Sequence, residues 1–394
     1  MIADRMKALV NNSSIIRAMF EEGKRLSDIY GEENVYDYSI GNPNVEPPEQ
    51  VRQSVIDILR EEPQNLVHGY MNNSGYEDVR GSIAEFINRT QGTDIDFSNI
   101  IMTVGAAGGL NIILKSIINP GDEVITISPY FGEYNNYVNN FDGKLIEVKA
   151  DTKDFQPNFE EFEKAINPKT KAVIINNPNN PTGVVYSEAS IQKMADILNA
   201  KQKEYNTDIF IISDEPYREL VYDDVKIPYI LNYYDNSFIG YSYSKSLSLP
   251  GERIGYVVIS NKMSDIENIK VALNVANRIL GFVNAPSLFQ RVIARNLGVT
   301  TDMTTYRENR DILYKHLTSL GFEMVKPEGT FYMFPKSLIP DDVAFAEAAK
   351  KYNLLIVPGS SFGCPGYFRL SYCISTEKVK NSLQAFTKLA EEFK

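Results

Sequence analysis

The sequence predicts an α/β protein, with a large domain whose mixed, mainly parallel sheet lies between helices. A smaller α+β domain, assembled from the N- and C-terminal segments, completes the expected fold. Three features predict it. From about residue 98, short apolar segments alternate with amphipathic segments of helical period. The short segments are continuous apolar runs, the pattern of strands buried on both faces. After about residue 300 the alternation gives way to a long helix, a few strands and two further helices.

In chain order, residues 1–46 carry one amphipathic helix, Ser14–Tyr30, and are expected to form an arm that joins the small domain. Residues 47–285 are the expected large domain. Its candidate strands are Ile100–Val104, Glu123–Ser128, Lys144–Val148, Ala172–Asn176, Ile209–Ser213, Phe238–Tyr241 and Ile254–Ile259. Helical segments at Gly108–Ile118, Phe159–Ile166, Ile191–Tyr205 and Met263–Asn277 sit between or after them. Pro120-Gly121-Asp122 is a turn signal that ends the first of these. Residues 286–394 form the expected small domain, opening on a long helix, Thr301–Ser319. Strands follow at Phe322–Val325, Thr330–Phe334 and Phe368–Cys373, with helices at Asp341–Tyr352 and Thr376–Phe393.

Composition narrows the chemistry. At 43% hydrophobic and 23% charged, the 394 residues can bury a large core. A formal charge of −11 argues against nucleic acid or acidic membrane as partner. No apolar run approaches the length of a membrane span, and charges interrupt MIADRMKALV, so no secretory signal is expected. Cys364 and Cys373 do not make a disulfide framework and read as small buried hydrophobes in a cytoplasmic protein. Only two histidines occur, His68 and His316, the latter expected on a helix surface. With no CxxC or HExxH spacing no metal site is expected, and no GxSxG elbow is present. Acid–base work falls to lysine, carboxylates or tyrosine.

In an open α/β sheet, ligands sit at the carboxyl ends of the strands. Several chemically capable groups fall there. In Ser242–Gly255, SYSKSLSLPGERIG, Lys245 follows a buried strand and has Arg253 nearby. Burial and a neighbouring cation lower a lysine's pKa and free its amine to attack a carbonyl. Ser242, Ser244 and Arg253 are suited to a phosphate. An aldehyde and a phosphate on one cofactor describe pyridoxal 5′-phosphate; the bland alternative is a polar loop with an exposed lysine.

Gly105-Ala106-Ala107-Gly108-Gly109 stands between a strand and a helix, where backbone N–H groups attract a phosphate or where glycine merely makes a tight turn. Asn176–Gly183, NNPNNPTG, is a rigid turn that fixes the Asn180 side chain above the sheet. Asp214 opens Asp214-Glu215-Pro216-Tyr217 and either meets a protonated pyridine nitrogen or caps the next turn. Phe131 can stack on a flat ring or fill the core. Arg369, inside an apolar strand, needs a partner: a substrate carboxylate or a structural acid.

Taken together and in this order, these motifs resemble the class I/II aminotransferases, fold type I of the pyridoxal-phosphate enzymes. The resemblance runs from Ile40-Gly41-Asn42-Pro43 to Arg369. It implies a homodimeric aminotransferase that moves an amino group from an L-amino acid to a 2-oxo acid by a ping-pong mechanism. Lys245 is then the Schiff-base lysine and proton shuttle, and Asp214 binds the pyridine nitrogen. Asn180 and Tyr217 meet the ring hydroxyl oxygen, and Phe131 stacks on the ring. The N–H groups at Gly105, Ala106 and Ala107 hold the phosphate together with Ser242, Ser244 and Arg253. Arg369 clamps the substrate carboxylate, aided by Asn180 and the Gly41 backbone. Tyr70, in His68-Gly69-Tyr70, matches a tyrosine that reaches the partner subunit's phosphate.

The chain departs from many relatives at Ala106 and Ala107, where a hydroxyl or a lysine is common, leaving only backbone donors. A carbon–sulfur β-lyase on the same fold uses the same residues, and a non-catalytic cofactor-binding regulator is a more distant alternative. For the substrate side chain, Arg278 is a candidate second cation, while Val283, Asn284, Ile15 and Ile16 could shape an apolar pocket instead.

Overall fold

A computed structural model describes residues 2–11 and 15–394. Its strands, in chain order, are β1 (Tyr36–Asp37), β2 (Ile100–Thr103), β3 (Glu123–Ser128), β4 (Lys144–Lys149), β5 (Thr170–Asn176) and β6 (Phe210–Asp214). They continue as β7 (Ser237–Ser242), β8 (Gly255–Ile259), β9 (Tyr332–Met333), β10 (Leu354–Leu355), β11 (Val357–Pro358) and β12 (Phe368–Ser371). Seven of them form one sheet in the order β2-β8-β7-β6-β5-β3-β4. All neighbours in it pair in parallel except β8, which runs antiparallel to both β2 and β7. The sheet is mixed and mainly parallel.

The alternation of side chains along each strand explains why these runs are apolar throughout. Ile125, Val173 and Ile211 enter one buried cluster, and Val124, Ala172, Ile174 and Ile212 enter a second one. Helix Gly105–Ile117 packs on the second of these through Leu110, Ile113 and Leu114. Helix Glu188–Tyr205 serves the first through Ile191, Met194 and Leu198. Ser187 caps its start by accepting from the Ser190 N–H, and Asn206 ends it in a left-handed conformation.

A third cluster joins Tyr38, from the N-terminal segment, to Leu313, Leu317, Phe331, Phe368, Leu370 and Phe386 from the C-terminal one. Here the strands are short. β11, β12 and β9 make a small antiparallel sheet, and β1 pairs with β10 in parallel. Helices Thr304–Ser319 and Thr376–Glu392 cover it.

Several local expectations change. Phe322–Val325 forms no strand: Phe322 is buried against Phe345 and Phe368, so its apolarity serves packing and not a ladder. The expected strand Thr330–Phe334 shrinks to β9. His316 is half-buried, its Nε2 lying 2.9 Å from Leu383 O and 3.1 Å from Thr387 Oγ1, so it links the two long helices. Of the expected helix Ser14–Tyr30, the structure has Ile15–Tyr30, and Ser14 lies outside the described residues. Helices at Glu49–Glu61, Glu77–Gln91 and Ser287–Arg295 add to those expected. Among the described residues, no helix is long and apolar enough to cross a membrane.

Candidate active site

Three adjacent strands end at one cleft of about 510 Å³. β5 delivers Asn176, β6 delivers Asp214 and β7 delivers Ser242, with Asn176 in register opposite Asp214. The cleft is also lined by Gly41, Ala106, Ala107, Phe131 and Lys245. From the C-terminal part of the chain come Tyr332 and Arg369, so its wall spans both halves of the fold.

Lys245 sits not on the strand but on a single helical turn, Tyr243–Ser246, whose N-cap Ser242 accepts from the Ser244 N–H. The turn lifts the lysine off the sheet, and its Nζ donates to Gly41 O at 2.6 Å. Burial lowers its pKa to about 8; the Cys373 thiol opposes that shift, and the Arg369 and Arg253 cations add to it. A usable fraction of neutral amine therefore exists near pH 7.

Asp214 is 5% exposed. Its Oδ2 accepts a 2.6 Å hydrogen bond from Tyr134 Oη, and its Oδ1 has no partner. Burial raises its pKa to about 7; the Tyr134 bond opposes the shift and Glu215 adds to it. A buried carboxylate with one oxygen unsatisfied calls for a cationic donor. Asn176 fixes the backbone around it, donating Nδ2 to Asp214 O at 2.8 Å and accepting the Asn180 N–H at 2.6 Å.

Arg369, on β12, has its guanidinium carbon 4.6 Å from the Tyr332 ring centroid and 4.8 Å from that of Phe362. It donates to Ser39 O at 2.6 Å and to Asn180 Oδ1 at 3.1 Å, while its Nε has no partner. No carboxylate of the chain faces it in an ion pair among the described contacts, so the structural-acid alternative finds no support. Tyr217 Oη lies 3.2 Å from Tyr332 Oη.

At the other end of the cleft, Ser242 Oγ and Ser244 Oγ are 2.7 Å apart, and Arg253 donates to Ser244 Oγ at 3.3 Å. Gly105 opens the helix Gly105–Ile117 with a φ of +75°. A Cβ placed there would lie 2.7 Å from an Arg253 terminal nitrogen. Glycine is required by conformation and by space. Two hydroxyls, a guanidinium and a helix N-terminus at one point make an anion cradle.

Sequence reading missed two residues of the cleft wall, Asn176 and Tyr332, and one buried behind Asp214, Tyr134. Tyr134 and Tyr332 carried no signal beyond being tyrosines, and Asn176 stood in a quoted motif without a role. Outside the cleft, Tyr70 is 96% exposed, in a groove with His68, Phe282 and Val283. Asn284 lines that groove too, and Arg278 is exposed on helix Ile266–Ile279. The side chains of Ile15 and Ile16 lie outside the described residues.

Comparison with known proteins adds to this geometry. Residues 33–386 match the family model described as aminotransferase class I and II. A probable aspartate/prephenate aminotransferase of Aquifex aeolicus is 31% identical, covering 91% of this chain and 92% of its own. Among solved structures, an amino transferase from Eubacterium rectale superposes with a TM-score of 0.97 at 46% identity, covering 100% of this chain and 99% of that one. The aspartate aminotransferase of Thermus thermophilus with maleate superposes with a TM-score of 0.86 at 27% identity, covering 99% of each.

Proposed function

We propose a role for each cleft residue from the premise that the chain belongs to the class I and II aminotransferase family. It is a pyridoxal 5′-phosphate-dependent transaminase, moving an amino group from an L-amino acid to a 2-oxo acid. The residues present suit that cofactor: an anion cradle at one end, a lysine of lowered pKa, and a buried carboxylate oxygen without a partner. When bound, the cofactor supplies an aldehyde that takes up the amino group and a ring that withdraws electrons from the substrate Cα.

Lys245 Nζ would hold the cofactor at its aldehyde end and would be the base that removes and returns the substrate Cα proton. Asp214 Oδ1 would hold the proton on the ring nitrogen. Asn180 and Tyr217 would meet the ring hydroxyl oxygen, and Phe131 would cover one ring face. Ser242, Ser244, Arg253 and the N–H groups of Gly105, Ala106 and Ala107 would hold the phosphate, with backbone donors alone at the two alanines. Arg369, its Nε unused, would clamp the substrate α-carboxylate, aided by Asn180 and the Gly41 backbone. Tyr332 and Phe362 hold that guanidinium between them and keep water from its faces.

We place the enzyme in the cytoplasm, on its two free cysteines, and read it as a homodimer. Tyr70 stands clear of its own chain, and Val271, Val275 and Ile279 form an exposed apolar stripe on one helix. A second subunit covering that surface would bring Tyr70 to the partner's phosphate.

The observation that carries this reading is the meeting of Lys245, Asp214 and Arg369 in one cleft, the latter two with unpartnered atoms. An amino donor supplied alone tests it. A transaminase releases one equivalent of 2-oxo acid per subunit and stops until a second 2-oxo acid arrives. Continuous release of ammonia with pyruvate from a cysteine-type donor would make the enzyme a carbon–sulfur lyase instead.

A further inference from the structure

Tyr134 reaches Asp214 from a different part of the fold, 80 residues earlier in the chain. It lies on the short helix Glu133–Asn139, just after β3, and is fully buried. Its ring is fixed from two sides, edge-on to Phe131 at 5.7 Å and stacked with Tyr130 at 6.4 Å. The 2.6 Å separation from Asp214 Oδ2 is that of a charge-assisted O–H···O⁻ bond. No second donor to the carboxylate appears among the described contacts, because Asn176 Nδ2 and the Asn177 N–H go to the Asp214 main-chain oxygen.

The other ionisable groups around Asp214 do not favour its anion. Glu215, next in the chain, repels it, and the Tyr137 and Tyr217 phenols that feel its charge are held neutral, their pKa values raised by burial first. The Tyr134 phenol is itself pushed well above its ordinary pKa by burial and then by Asp214, so it keeps its proton and donates. We propose that Tyr134 is a positioning residue: it holds Asp214 as the anion and occupies Oδ2, so that Oδ1 alone is presented to the cofactor's ring nitrogen. This rests on the role proposed above for Asp214. Without Tyr134 the shared proton belongs on Asp214, and the ring loses its cationic character.

The test uses holoenzyme reconstituted with cofactor labelled with ¹⁵N in the ring, its chemical shift followed from about pH 6 to pH 9. Wild type should show the pyridinium value, and Tyr134→Phe should move toward neutral pyridine. Its kcat should fall about 10- to 100-fold, the loss expected for one hydrogen bond to a charged group, with KM changed far less. Replacing Tyr134 by a fluorinated tyrosine, a stronger donor of nearly the same shape, should retain the pyridinium value. That variant also covers the case in which Tyr134→Phe does not fold. If Asp214→Asn loses the pyridinium signal while Tyr134→Phe keeps it, Tyr134 is packing only and the inference is overturned. A pyridinium signal that survives Asp214→Asn overturns the role of Asp214 itself, which is a different failure.

Discussion

Lys245 Nζ and the carbonyl oxygen of Gly41 meet at 2.6 Å across 204 residues of sequence. The bond ties the segment entering from the N-terminal arm to the turn that follows β7. The same segment is anchored by Arg369, which donates to Ser39 O, and by the Ser371 N–H, which donates to Tyr38 O at 2.8 Å. Two parts of the fold thus close over the lysine. A side chain at position 41 has no room, since a Cβ would fall 1.9 Å from Tyr332 Oη.

The lysine's environment sets a pH dependence. Its folded-state pKa of about 8 lies below a lysine's ordinary value of 10.5, so the reactive neutral amine dominates only above about pH 8. Capture of pyridoxal phosphate by the cofactor-free enzyme should therefore speed up roughly tenfold from pH 7 to pH 9 and then level off. Stopped-flow absorbance follows it directly. Lys245→Ala should lose turnover by about four orders of magnitude, combining the loss of a nucleophile with that of a proton shuttle. A Lys245→Ala protein that still retained cofactor covalently after borohydride would place the reactive amine elsewhere.

Arg369→Lys keeps the charge but loses the planar fork. Two of the guanidinium's nitrogens already serve Ser39 and Asn180, so a single ammonium cannot replace them and also bind a carboxylate. With charge-assisted bonds contributing about 1.5–3 kcal/mol each, kcat/KM for an amino acid should drop roughly 10- to 100-fold or more. Amines that lack an α-carboxylate should show little change. Comparing the two substrate classes separates a clamp from a structural ion.

Gly105→Ala addresses the phosphate end. The left-handed backbone costs a residue with a Cβ roughly 1–2 kcal/mol, and that Cβ also presses on Arg253. Cofactor affinity should weaken at least about tenfold, read as faster loss of bound cofactor on dilution. The effect should shrink for pyridoxal without its phosphate. Equal losses for both cofactors would mean that Gly105 matters to the fold and not to the anion.

The strand ends were legible in the sequence because buried parallel strands are unbroken apolar runs. A polar residue at the end of each run, Asn176, Asp214 or Ser242, marks where the chain leaves the core. What escaped detection depends on tertiary pairing. Tyr134 is one of 24 tyrosines, and nothing local distinguishes it from its neighbours Tyr130 and Tyr137. Tyr332 gains its place only when β9 pairs with β12 beside Arg369. Helix Glu49–Glu61 buries just Val51, Ser54 and Ile58, too thin a stripe to stand out. Phe322 misled in the opposite sense: an apolar run needs a neighbour strand to become one, and here it finds aromatic rings instead.

Tyr70 gives the last prediction. Tyr70 is 96% exposed on its own chain, as a residue that serves a second subunit would be before assembly. In the proposed dimer it reaches the partner's phosphate, and each site draws on both chains. Mass in solution should correspond to two chains. Mixing a Lys245→Ala chain with a chain carrying a disruptive substitution at Tyr70 should then restore activity, because one hybrid site would be intact at both positions. A single phosphate hydrogen bond is worth only about 0.5–1.5 kcal/mol net, so Tyr70→Phe is too mild. Tyr70→Asp, which introduces a carboxylate against the phosphate, gives the contrast the mixture needs. Full activity in a monomer, or no recovery in a mixture shown by mass to contain hybrids, would remove Tyr70 from the site.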